Sequence, residues 1–329
     1  MNDSNKKSGI GLALRGMAMG VAEVIPGVSG GTIAFITGIY ETLLDTIKSV
    51  NLDVFKLLKS GDWSGLWRHI NGRFLLFLLL GMGCGVILGV FVISHLLENY
   101  PEPLWGFFFG LVLASGIYMA RQIEGCKPLY VVLFILGIIG SFAVTTLTPA
   151  GGSESLLFIF ISGAIAISAL ILPGISGSFM LLLMGMYSII IPNVKGLLSD
   201  PNSHRFMIVA VFAAGCLFGL MTFSRVLSYT FKHYKNATLA ALTGIMIGSL
   251  PKIWPWRNPI VVFDKTTEKT MTPDLATFQI SDLEHVKILQ ESNVLPAEYF
   301  ANANTVSTAA VMLIGFVLIL GVDAYQRRG

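Results

Sequence analysis

Charge is what this sequence has least of. Only 12% of its 329 residues are Asp, Glu, Lys or Arg, where soluble domains carry about 25%. With 54% hydrophobic residues and a mean hydropathy of +0.73, the composition excludes an ordinary soluble enzyme and points to an integral membrane protein. The net charge of +3 is too small to argue for a nucleic-acid partner. Cysteine is scarce as well. Cys84, Cys126 and Cys216 form no CxxC pair and no even set, so neither a disulfide framework nor a zinc site is supported. Cys84 and Cys216 each follow a glycine and read as small packing residues inside helices. His95 and His233 fall near the ends of apolar runs without ligand companions, so no metal and no cofactor is expected. Alternating segments of about ten residues, the mark of a membrane β-barrel, are missing too. What remains is an all-α integral membrane protein.

One stretch occurs twice. Glu23-Val24-Ile25-Pro26-Gly27-Val28-Ser29-Gly30-Gly31-Thr32 returns as Leu170-Ile171-Leu172-Pro173-Gly174-Ile175-Ser176-Gly177-Ser178. The match runs without a gap to Gly38-Ile39-Tyr40 against Gly185-Met186-Tyr187. Pro lacks an amide hydrogen and Gly relaxes the backbone, so Pro26-Gly27 and Pro173-Gly174 each stop a helix. Each copy reads as helix, break, helix inside apolar sequence. Bare backbone at membrane depth is tolerated only where protein buries it or it lines a cavity. Paired breaks in two halves point to a transporter's binding site.

Taken in order, residues 9–24 and 31–47 flank the first break and read as a re-entrant hairpin over 9–47, two short tilted spans being the alternative. The apolar run from Ile10 flows straight into the motif, so the start of the chain reads as retained rather than as a cleaved signal. Residues 48–73 mix Lys48, Lys56, Lys59, Arg68 and Arg73 with Trp63 and Trp67, an amphipathic basic segment suited to a lipid surface or a solvated linker. Spans are expected at 74–97, 104–121 and 128–147, closing a first repeat over 1–150. The second repeat, 151–329, has a hairpin at 155–191, spans at 206–231, 237–253 and 305–325, and a polar loop at 254–303. A broken hairpin plus three spans per half makes the second half enter upside down, an inverted repeat. Gly110 to Ser115 resembles Gly244 to Ser249, and Arg73 and Arg205 both precede a span. Basic residues favour the cytoplasmic side. Segments 48–73, 121–127, 232–236 and 326–329 all carry them, while the turns 98–103 and 148–154 carry none. The expected orientation has both termini cytoplasmic and the 254–303 loop outside, with Lys195 and Arg205 against the trend. Trp254-Pro255-Trp256 is expected at a membrane–water boundary.

The breaks are the candidate site. A half-helix starting after Gly27 or Gly174 presents unpaired amides and a positive dipole end, a setting that suits phosphate. Gly30, Gly31 and Gly177 let an anion approach the backbone, and Ser29, Thr32, Ser176 and Ser178 add hydroxyls. The plainer reading is a tight packing kink, which repetition at matched positions disfavours. Glu23 lies within an apolar run, where a carboxylate costs about 2.5–3.5 kcal/mol near the bilayer centre. Its counterpart is Leu170, so the repeat does not need the acid. Glu23 is read as a proton- or cation-coupling residue or a partner of a basic group. Arg225, within 206–231, is a candidate phosphate or Glu23 partner, or a residue snorkelling to the interface; Arg15 is similar.

MGVAEVIPGVSGGTIAFITGIYE, LPGISGSFMLLLMGMY, FSRVLS and GSLPKIWPW resemble the bacterial polyprenyl-phosphate transporter family of PopT type, formerly a domain of unknown function. The resemblance covers about residues 10–257. It implies a flippase of the cytoplasmic (inner) membrane that returns undecaprenyl phosphate from the outer to the inner leaflet, recycling the carrier lipid of cell-wall synthesis. Glu23 supplies the acid that the family motif has before Ile-Pro-Gly. Coupling to H+ or Na+ through Glu23 is inferred from that. Two other functions are weighed. The breaks would equally serve a transporter or channel for a small anionic solute, and lipid access between helices discriminates the two. Gly27-Val28-Ser29-Gly30 and Gly174-Ile175-Ser176-Gly177 also fit the GxSG pattern of intramembrane serine proteases, but no histidine lies mid-span to act as base.

Overall fold

The computed structural model describes residues 9–25, 28–147, 151–200, 202–264, 269–273 and 286–326. In the first half the chain forms α1 (Gly9–Val24), α2 (Gly30–Ile36), α3 (Tyr40–Ser49), α4 (Leu52–Ser60), α5 (Trp63–His69), α6 (Gly72–Asn99), α7 (Pro101–Ala120) and α8 (Pro128–Thr146). In the second it forms α9 (Leu156–Ile171), α10 (Gly177–Leu183), α11 (Tyr187–Ser199) and α12 (Ser203–Ser249), then strands β1 (Arg257–Asp264), β2 (Lys269–Met271) and β3 (Val286–Asn293), and finally α13 (Thr305–Gln326). Helices α6, α7, α8 and the run 203–253 are long and apolar enough to cross a membrane. The 47 residues of α12 would reach roughly 70 Å, far beyond a hydrocarbon core of about 30 Å. The helix divides at Tyr234, whose φ of −137° and ψ of 44° kink it within the polar Lys232–Asn236 stretch. Two limbs result, as the two expected spans require.

The surface is inverted relative to a soluble protein. Along α6 the buried stripe is Phe74, Leu78, Gly81, Gly85, Gly89 and Ile93, while Leu79, Leu80, Ile87 and Phe91 are exposed. The small residues face inward because they let helices approach closely, and the large ones face lipid. In α8, Ser141 is the one buried residue of 19. A helix so apolar and so exposed has lipid for its solvent. The chain is a multi-pass membrane protein.

Four close crossings join the bundle. A methyl on Gly81 or Gly85 would strike the Ala13 or Met17 carbonyl of α1. One on Gly215 or Gly219 would strike Phe160 or Ala164 of α9. Likewise α13 lies on α7 through Gly110 and Gly315, and α8 lies on α12 through Gly137 and Gly244. The last two crossings run between the halves. Exchanging the halves maps this pairing onto itself: α1·α6 onto α9·α12, and α7·α13 onto α12·α8.

Two expectations are corrected. Each hairpin is broken twice, not once, because the runs 31–47 and 178–191 are not single helices. Gly38 and Gly185 both take φ +66°, a left-handed conformation that ends a helix and favours glycine. Helices α10 and α11 meet at a bend of 115°. The second concerns the 254–303 loop, expected only as a polar insertion, which carries an antiparallel sheet, order β2-β1-β3, on the otherwise all-α bundle. The loop is anchored to the bundle by Glu102, a buried acid that accepts hydrogen bonds from Tyr299 Oη (3.0 Å) and Asn304 Nδ2 (3.3 Å). Burial first, then the Glu102 carboxylate, pushes the Tyr299 phenol above its usual range, so it stays a donor. Trp254 and Trp256 donate to the Val294 and Ala303 carbonyls (2.9 and 2.7 Å). The Trp256 indole is thus buried under the loop. Within 48–73, α4 and α5 are capped by Asn51 and Asp62 and leave Trp63 and Trp67 exposed.

Gly81→Val is expected to disrupt the α1·α6 crossing by about 1–3 kcal/mol, read as a lower thermal midpoint in detergent. Gly83→Val, with open space around its Cβ position, should leave the midpoint unchanged.

Candidate functional site: two helix breaks in one core

The sequence places the two breaks 147 residues apart (Ser29 to Ser176). The fold joins them. Ser29 Oγ shares its hydrogen between the Leu170 and Leu172 carbonyls, at 3.0 and 3.1 Å. These are among the last carbonyls of α9, which lack partners within their own helix. The Gly174 amide of the same break donates to Thr32 Oγ1 at 3.2 Å. Tyr40 Oη donates to the Ile171 carbonyl at 3.0 Å. Side chains of the first half therefore satisfy backbone groups that the second half's break leaves open. Ser29, Thr32 and Ser176 are buried, and Ser178 is exposed. Pro26 and Gly27 lie outside the described residues. Pro173 and Gly174 are buried, Gly174 with φ +89°.

The two breaks differ in how their helix starts are capped. At the first, Ser29 Oγ accepts from the Gly31 amide (3.1 Å), and Glu23 Oε1 accepts from the Gly30 amide (2.7 Å). A carboxylate thus already sits where an anion is expected at the start of α2. A hydrogen bond to a charged group contributes about 1.5–3 kcal/mol, more than a neutral one. At the second break, Leu170 stands in Glu23's place with no side-chain acceptor, and α10 has no side-chain cap. Ser176 and Ser178 bond each other at 2.9 Å. The first helix start is capped by its own acid, and the second has no side-chain cap.

Arg225 is not brought to the breaks. It donates to the Met221 carbonyl in its own helix (3.2 Å) and reaches the Val50 carbonyl just beyond α3 (3.5 Å). Nearby, Ser228 donates to Asp45 (3.0 Å), tying α12 to α3. The serine-protease pattern has no base in this geometry, since the Ser29 hydroxyl is committed to main-chain carbonyls and that of Ser176 to Ser178.

A multi-pass helical membrane protein with two interlocked helix breaks in its core has the architecture of secondary transporters. Residues 19–271 match the undecaprenyl phosphate translocase-like family, and the chain belongs to that family. It is 41% identical over 320 residues to a polyprenyl-phosphate transporter of Vibrio cholerae, covering 96% of both chains. It is 31% identical over 273 residues to a polyprenyl-phosphate transporter of Staphylococcus aureus, covering 76% of this chain and 90% of that one. No solved structure matches.

The unequal capping sets an order of stability. Ser29→Ala removes the acceptor of a buried amide and the donor to α9, a loss of about 1–3 kcal/mol. Ser176→Ala removes one bond between hydroxyls and should lower the thermal midpoint less. Equal shifts would contradict the interlock.

Proposed function

We propose that this protein is a flippase that returns undecaprenyl phosphate from the outer to the inner leaflet of the bacterial cytoplasmic membrane. The observation that carries this reading is the pair of interlocked breaks, rich in amides and hydroxyls, inside a bundle whose outer faces are apolar. A phosphate headgroup fits such donors. The relatives' names point to the same substrate class. The tail stays in lipid throughout, because moving it into water would cost about 0.8 kcal/mol per methylene.

In this mechanism the two halves are inverted repeats with both termini cytoplasmic, and the sheet-bearing loop faces outward. The phosphate docks first at the open second break, on Gly174, Ser176, Gly177 and Ser178. It then engages Gly27, Ser29, Gly30, Gly31 and Thr32 as the Glu23 carboxylate gives up the Gly30 amide. Uptake of a proton or sodium ion by Glu23 neutralises the competing charge and couples the step to an ion gradient. Pro26 and Pro173 keep the breaks open by withholding amide hydrogens. Arg225, beside Val50 in the segment assigned to the cytoplasmic side, meets the phosphate on release. The chemistry is binding and movement rather than bond cleavage, and the lipid returns to the carrier pool for cell-wall synthesis.

The test is transport of a labelled undecaprenyl phosphate between leaflets of proteoliposomes under an imposed ion gradient. Wild-type protein should transport it. Glu23→Gln keeps an oxygen acceptor for the Gly30 amide but cannot take up a proton. It should insert and fold normally, yet transport no faster than protein-free vesicles. Full transport by Glu23→Gln would remove Glu23 from coupling, and no transport by the wild type would overturn the function.

A further inference from the structure

The GSLPKIWPW stretch carries a cation that the breaks do not use. Lys252 lies on the 3-10 turn Leu250–Ile253 that extends α12. That turn follows directly on the helix end pressed against the second break, where Gly174 faces Met246 and Ser249. The Lys252 ammonium sits 5.0 Å from the centre of the Phe179 ring, next in sequence to Ser178. Among the described residues it has no ion pair and no hydrogen bond.

A cavity of about 840 Å³ opens here, between the end of α8, the α10–α11 bend and strands β1 and β3. Its charged wall residues are Lys252, Arg257 and Glu291. Glu291 is engaged by Arg257 Nη1 at 2.8 Å, so Lys252 is the unmatched charge. The Arg257 guanidinium lies 4.7 Å from the Trp105 ring centre, and its Nε is buried without a hydrogen-bond partner. Among its lining residues Phe142, Leu182, Tyr187 and Ile260 are apolar and exposed. The cavity thus combines a cation with an apolar rim.

We propose that this cavity is a loading site for a polyprenyl phosphate, with Lys252 taking the phosphate monoester and the rim taking the first isoprene units. The proposal rests on the transport reading above and adds to it a separate site beside the second break. A partly buried ammonium without a counter-ion is costly to maintain, and a phosphate dianion supplies the missing charge. Inorganic phosphate would leave the apolar rim unfilled, and polyprenol would leave Lys252 unmatched. Ligand chemistry that answers both ends is amphiphilic and anionic. In the outward orientation proposed above, the cavity lies on the outer-leaflet side. Helix α10 supplies Phe179 and Leu182 to the cavity and begins at the break, so the cavity adjoins the second break.

The test is binding of undecaprenyl phosphate to the full-length protein in phosphatidylcholine nanodiscs, with inorganic phosphate, undecaprenol and phosphatidylglycerol as competitors. Lys252→Gln should weaken binding about tenfold or more, the loss of one charge-assisted contact, while Lys252→Arg retains it. Removing an unmatched cation should leave the thermal midpoint equal or higher. Glu291→Gln, which releases Arg257, should tighten binding. Undecaprenol and phosphatidylglycerol should compete poorly. Wild-type binding that Lys252→Gln leaves unchanged would overturn the loading site while the transport reading stands. Lys252-dependent capture of inorganic phosphate with no lipid binding would overturn the lipid assignment and, with it, the transport reading.

Discussion

A helix broken inside a bilayer leaves amides and carbonyls that no lipid can satisfy. This protein breaks two helices in its core, and side chains around the first break complete the second. Ser29 covers the carbonyl end of α9, and Thr32 takes the amide of Gly174. The halves therefore cannot separate at the centre without stranding polar backbone in an apolar medium. Movement of one half past the other has to exchange these bonds for others, and a phosphate rich in acceptor oxygens offers such an exchange for the donors.

The rest of the bundle lets that centre form. Glycine stripes on α1, α6, α9 and α12 bring helix backbones together, and the crossings α7·α13 and α8·α12 hand one half's helix to the other. Large apolar side chains are left outside for lipid, so the polar groups stay concentrated at the breaks and beneath the sheet. Among the differences between the two break sequences, Glu23 against Leu170 leaves the first helix start capped by an acid and the second without a side-chain cap. An exact repeat would have no such directionality.

Much of this was legible in the sequence because lipid imposes a strong pattern. Hydropathy located the spans to within a few residues, and Pro-Gly with its repeat located the primary breaks. Gly38 and Gly185 were visible as matched residues, but an isolated glycine in an apolar run does not reveal a positive φ, so the second break of each hairpin was missed. The sheet was missed because 254–303 was read as a polar insertion as a whole, although Ile260-Val261-Val262-Phe263 is a β-branched and aromatic run. Glu102 sat in a turn that looked exposed, since its partners Tyr299 and Asn304 lie about 200 residues away in sequence. Lys252 was part of a noted motif, yet its lack of a direct ion pair, with Glu291 taken by Arg257, is a property of the packed chain. Arg225 shows the converse: its place in an apolar run suggested a core role, whereas the kinked helix delivers it to the end of α3.

The most direct measurement is a structure of the protein in nanodiscs with undecaprenyl phosphate bound. The account predicts a phosphate within hydrogen-bonding distance of the backbone or hydroxyls at Gly174–Ser178 or Ser29–Thr32. In any state that engages Gly30, the Glu23 carboxylate should have moved away from that amide. A bound lipid whose phosphate touches neither break, with the Ser29, Thr32 and Glu23 bonds unchanged throughout transport, would contradict it.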